Sequence, residues 1–118
     1  LEGTPSTCDE DGDTLCLNGG RFSIDVTWHA VDDANGVGQA VPLTDDTGYF
    51  WFFDDANIEV VIKVLDGTAL NNHYWVFYGA LSDVGYTITV TDTSTGTVQT
   101  YHNPQGQMAS VADTQAFP

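Results

Sequence analysis

Residues Gly48 to Phe53 read GYFWFF, five aromatic residues in succession behind the turn residues Asp45, Asp46 and Thr47. Strand side chains alternate between faces, so Tyr49, Trp51 and Phe53 point one way while Phe50 and Phe52 point the other. No helical stripe can be drawn through such a run. A strand that is apolar on both faces needs cover on both, and the expectation is a central strand. Tyr74 to Tyr78, YWVFY, has the same two-faced character and is its expected neighbour.

The rest of the chain supplies strands of the ordinary kind. Phe22, Ile24, Val26 and Trp28 alternate with Ser23, Asp25, Thr27 and His29, giving one core face and one wet face. Asp32 to Gly38 reads as a loop, with Asn35-Gly36 its strongest turn signal. Gln39 to Leu43 is a short strand whose Pro42 cannot donate to a ladder, which places it at a sheet edge. Ile58, Val60, Ile62 and Val64 face one side and Glu59, Val61, Lys63 and Leu65 the other, and Asp66-Gly67 starts a turn. The YWVFY strand runs to about Leu81. Tyr86 to Thr91 and Val98 to His102 form a hairpin across Thr93 to Gly96, and Met108 to Val111 is a last short strand. About eight strands with turns every 8–12 residues or so predict an all-β fold, an antiparallel β-sandwich, immunoglobulin-like or jelly-roll-like, with no significant helix. Residues 1–20 are expected to be an arm and a cysteine loop, and residues 21–118 a single sandwich domain.

Seventeen Asp and Glu stand against only Arg21 and Lys63, a formal net charge of -15. Two cations cannot neutralise a row of phosphates, which excludes nucleic acid as a partner and disfavours an anionic membrane. Hydrophobic residues make up 42% of the chain, enough for a folded domain despite the charge. Such a surface repels itself and is relieved by salt or divalent ions. Cys8 and Cys16, with no CxxC spacing and no further zinc ligands nearby, predict a disulfide and an oxidising compartment. There is no apolar run long enough to span a membrane and no signal-peptide pattern. The chain opens on Leu1, and a mature secreted protein or a trimmed fragment is expected. N-x-S/T sequons are absent, in keeping with a bacterial source.

The segments LCLNGGRF (Leu15 to Phe22), DTGYFWFF (Asp46 to Phe53), IKVLDG (Ile62 to Gly67), WVFYGALSDV (Trp75 to Val84), TVTDTSTG (Thr89 to Gly96), TYHNP and the terminal DTQAF together resemble a group of uncharacterised secreted bacterial domains. The resemblance spans nearly the whole chain. It implies secretion and an all-β domain, alone or beside other extracellular modules, and no established activity. Some members carry further cysteines where Thr68 and Pro118 stand here.

Asp9, Asp11 and Asp13 alternate across Gly12 inside the cysteine loop, a spacing at which three carboxylates can converge on one hard cation, Ca²⁺ before a transition metal. Thr14 and Gly20 stand where an EF-hand loop needs its Gly and bidentate Glu, so the loop is not of that kind. The plainer reading is a solvated acidic loop closed by a disulfide. Asp32-Asp33, Asp45-Asp46 and Asp54-Asp55 are adjacent pairs in loops, where neighbours usually point apart and serve turns. His29, His73 and His102 have no nucleophile elbow or paired spacing around them.

The aromatics are the remaining candidates. Tyr49, Phe50, Trp51, Phe52, Trp75 and Tyr78 exceed what a small two-layer core needs, so some are expected at a surface, stacking on sugar rings or meeting a partner. The expected function is a non-catalytic extracellular interaction or structural module without a required cofactor, foremost a self-assembling surface or filament subunit. The alternatives are a calcium-assisted carbohydrate-binding module and, third, a hydrolase.

Overall fold

A computed structural model describes Cys8 and residues 11–118. Among these, ten strands form two five-stranded antiparallel sheets packed as a sandwich. In sheet A, β2 (Phe22–His29) pairs along its whole length with β8 (Gly85–Asp92), whose far side carries β9 (Val98–Asn103). The other side of β2 is shared by β1 (Thr14–Leu17) and β3 (Asn35–Val37). Sheet B runs β10 (Ser110–Phe117), β7 (His73–Ala80), β6 (Ile58–Gly67), β5 (Thr47–Trp51), β4 (Gln39–Pro42). One helical turn, α1 (Thr68–Asn71), joins β6 to β7.

The sandwich and the edge position of the Pro42 strand are as expected. Four details differ. The aromatic strand β5 is second from the edge and β6 is central, so β6 lies between the two aromatic strands that were expected to pair. Thr14–Leu17, expected within and just after the cysteine loop, is a strand, because Leu15 and Leu17 supply inward-facing core residues. Asn35-Gly36 lies within β3 rather than in a turn, and β10 extends to Phe117.

The core is the sum of the inward faces: Phe22, Ile24 and Val26 of β2, Tyr86, Ile88 and Val90 of β8, Phe50 of β5, Val60, Ile62 and Val64 of β6, and Val76 of β7 are all buried. Each large apolar side chain removed from water in this way contributes about 1.5–3 kcal/mol. Gly48 shares the inward face of Phe50, and a Cβ there would lie 2.6 Å from the methyls of Leu15 and 2.9 Å from the Val41 carbonyl. The glycine that opens the aromatic run therefore lets the two sheets meet. That flank is also stitched by hydrogen bonds: the Ala40 N–H donates to the Gly12 carbonyl, Gly38 to Val26, and Asn18 to Asp45, while the Asn18 amide reaches the Val64 carbonyl. On the opposite flank Gln99 donates to the Ala116 carbonyl and the Tyr101 hydroxyl to Asp113.

The chain's single arginine also bridges the layers. Arg21 grips Asp92 at the end of β8 with Nε and Nη2, at 3.1 and 2.9 Å, donates from Nη1 to the Tyr74 hydroxyl on β7, and lies 4.4 Å from the centre of that ring. Tyr86 presents the opposite case: its hydroxyl is buried with no protein partner, and burial pushes its pKa far up. Tyr86→Phe removes an unsatisfied polar atom while keeping the ring, so urea unfolding is expected to show stability unchanged or raised by up to about 1 kcal/mol. A loss larger than that would mean the hydroxyl is bonded.

Candidate binding surface

The strand alternation that buries one face of sheet B turns a second set of apolar side chains outward. Against buried Val60, Ile62 and Val64, β6 presents Val61, Lys63 and Leu65; against Val76 and Tyr78, β7 presents Trp75, Phe77 and Gly79; against Phe50, β5 presents Tyr49 and Trp51. Register sets them side by side. Tyr49 is opposite Val61 and Val61 opposite Gly79; Lys63 lies between Thr47 and Phe77; Leu65 is opposite Trp75. The aromatic rings thus fall along a diagonal, Trp51 and Tyr49 on β5, then Phe77 and Trp75 two strands away. At strand spacings this track is about 20 Å long. All four rings are half-buried; Trp75 and Phe77 touch each other, and Trp75 also leans on Asn71 of α1.

Trp75 is held in place. Its indole lies across Gly67, where a Cβ would come within 2.1 Å of the ring, and its Nε1 donates to Asn71 Oδ1 at 2.8 Å. The Asn71 amide in turn donates to the Thr114 carbonyl, and Asn71 Oδ1 also accepts the His73 N–H. Phe77 stands edge-on to Trp75 at 6.3 Å between centroids, with the Lys63 ammonium 5.6 Å from the Phe77 ring centre. Thr47, Val61, Lys63, Phe77, Tyr78 and Gly79 line a shallow open depression of about 340 Å³.

The six aromatic candidates therefore divide. Tyr49, Trp51 and Trp75 lie on the outward face. Phe50, Phe52 and Tyr78 are 0%, 6% and 6% exposed and belong to the core, because the alternation that turns their neighbours out turns them in; they are not surface residues. Phe77, Val61, Leu65 and Lys63 complete the face and were not singled out, although Phe77 could have been found from its two-residue spacing to Trp75. Phe53 lies beyond the end of β5, 54% exposed, against Trp28 at 4.7 Å.

The predicted Cys8–Cys16 disulfide is formed. Asp9 lies outside the described residues, as does the arm of residues 1–7. Asp11 spends one oxygen on the N–H groups of Asp13 and Thr14. Its carboxyl is held below the usual range by the hydrogen bond it shares with the Asp13 side chain, and that same bond pushes Asp13 up. Among the described residues no three His, Cys, Asp or Glu side chains are gathered where a metal could be held. Of the adjacent aspartates, Asp32 and Asp54 serve turns, accepting from the Ala34 and Ala56 N–H groups, while Asp45 accepts from Gly19 N–H across to the segment after β1. Asp46 takes the hydroxyls of Thr47 and Thr44, which lower its pKa. His73 Nδ1 meets the Phe117 carbonyl and His102 Nδ1 the Thr87 hydroxyl. With seventeen acids and two cations, the unfolding temperature is expected to rise as NaCl goes from about 10 mM to about 0.5 M and screens the repulsion. Calcium at matched ionic strength separates the two readings of the acidic loop: a larger rise marks a site, and an equal rise marks screening alone.

No family model, no curated protein and no solved structure matches the chain.

Proposed function

We propose that the protein is a non-catalytic, extracellular binding module that works through the outward face of sheet B. One observation carries this reading: Tyr49, Trp51, Phe77 and Trp75 are aligned on the solvent side of a sheet whose other side already forms the core. Half-buried rings gathered on the solvent side of a sheet are the kind of partly open aromatic surface at which ligands and partners bind. The disulfide supports an oxidising location. No helix among the described residues is long and apolar enough to cross a membrane. Asp32 and Asp54 each accept a turn N–H and Asp45 accepts the Gly19 N–H, which favours a structural role for these loop carboxylates over catalysis.

The test is a panel of neutral and charged polysaccharides, together with the protein itself at high concentration in a sedimentation experiment. Wild type is expected to bind at least one of these, Trp75→Ala to lose that binding while still unfolding cooperatively, and no polysaccharide to be cleaved. Binding that survives in Trp75→Ala and Tyr49→Ala alike, or release of sugar products, would contradict the reading. Self-assembly, the first expectation from the sequence, is the competing use of the same face, and the sedimentation arm reports on it.

A further inference from the structure

Resting on that binding-module reading, we propose that the outward face of sheet B takes a neutral polysaccharide chain, laid along the diagonal from Trp51 to Trp75. Charge selects this occupant. No Asp or Glu occupies the outward positions 49, 51, 61, 63, 65, 75, 77 and 79, while the chain as a whole carries a net charge of -15. An anionic polymer approaching the face meets the field of the whole molecule. A second copy brings seventeen further acids, so stacking two copies face to face adds to that same field. A neutral chain of hydroxylated rings meets neither penalty.

The ring geometry suits the same ligand. The indole nitrogen of Trp75 is already committed to Asn71, so what the ring offers outward is a π-face and not a donor. An apolar π-face is satisfied by the C–H face of a sugar, with hydroxyls left at the ring's rim for polar groups such as Lys63. Seated on Gly67 and tied to Asn71, the indole is ordered before any ligand arrives, which spares the side-chain entropy that binding would otherwise cost. The depression between Phe77 and Lys63 gives room for a substituent of one sugar between the two aromatic ends of the track.

Affinity electrophoresis and calorimetry with hydroxyethylcellulose, a soluble β-1,3-glucan and a mannan, against polygalacturonate and heparin as anionic probes, test this. At least one neutral polymer is expected to bind wild type, with affinity changing by less than about twofold between low salt and about 0.5 M NaCl. Trp75→Ala and Tyr49→Ala are each expected to weaken it about tenfold. Gly67→Ala keeps every ring but lifts the indole from its seat, and it too is expected to weaken binding; Asp32→Asn is not. Because these substitutions lie on three different strands, misfolding of one leaves the others to decide. If no neutral polymer binds, or only anionic ones do, the proposal is overturned. Self-association abolished by Trp75→Ala would overturn it while leaving the binding surface in place, and no effect of the face variants on any partner would overturn both.

Discussion

Asp92→Asn is expected to destabilise the protein by about 3 kcal/mol, read from urea unfolding at neutral pH. The Asp92 side chain is fully buried, gripped by Arg21 from one side and by the N–H and hydroxyl of Ser94 from the other. Breaking a buried pair costs about 3–5 kcal/mol, and the lower end applies because the Arg21 side chain keeps 30% of its exposure and can hydrate when released. The same group shapes the acid limb. Burial pushes the Asp92 carboxyl up, but the hydrogen bonds from Arg21 and Ser94 outweigh it and hold the carboxyl below its ordinary value. A carboxylate depressed in the folded state contributes stability that is fully present above its unfolded pKa, about 3.9, and is lost as pH falls through the lower folded value. Wild type should therefore lose stability more steeply below about pH 4 than Asp92→Asn. Parallel acid limbs, or a loss at neutral pH under about 1 kcal/mol, would show that the arginine bridge contributes little.

Neighbouring residues of the aromatic run should behave as if they belonged to different proteins. Phe50→Ala opens a cavity at a fully buried site between the sheets and is expected to lower stability by about 3–5 kcal/mol. Tyr49→Ala removes only cross-strand contacts on the outward face and is expected to lower it by about 1 kcal/mol or less. Equal losses from the two substitutions would mean that the outward face is a second core.

Period-two alternation carried most of the fold in legible form, and the strands containing Phe22, Ile62 and Ile88 stand where that alternation put them. One glycine misled. Asn35-Gly36 looks like a turn, yet a Cβ at Gly36 would fall 2.7 Å from the Trp28 ring; Gly67 ends β6 where the turn into α1 does start, but a Cβ there would fall 2.1 Å from Trp75. These glycines sit in strands as seats for indoles, a tertiary demand with no local signature. β1 was hidden for a related reason: TLCL is short, and the surrounding acidic and glycine residues dominate its composition. The adjacency of the two aromatic strands failed because short connections favour pairing of consecutive strands, which put β6 between them.

Half of the candidate surface was legible in the same sense. Alternation separated Tyr49 and Trp51 from Phe50 and Phe52, and Gly48, on the face of Phe50, marks the side where another sheet approaches. Phe77 and Lys63 became part of the face only through register with β6, which depends on strand order. Asp11, Asp32 and Asp54 were the reverse case: conspicuous in sequence, they are spent within their own turns.

Three indole N–H signals, from Trp28, Trp51 and Trp75, make the direct measurement. In a proton–nitrogen NMR titration of the wild-type protein with the neutral polymer it binds best, the Trp51 and Trp75 signals should move along with the amides of Tyr49, Val61 to Leu65 and Trp75 to Gly79. The Trp28 signal and the Asp11 to Thr14 amides should stay fixed. Shifts centred on the acidic loop or on Trp28, with Trp51 and Trp75 unmoved, would contradict the assignment of the outward face of sheet B as the binding surface.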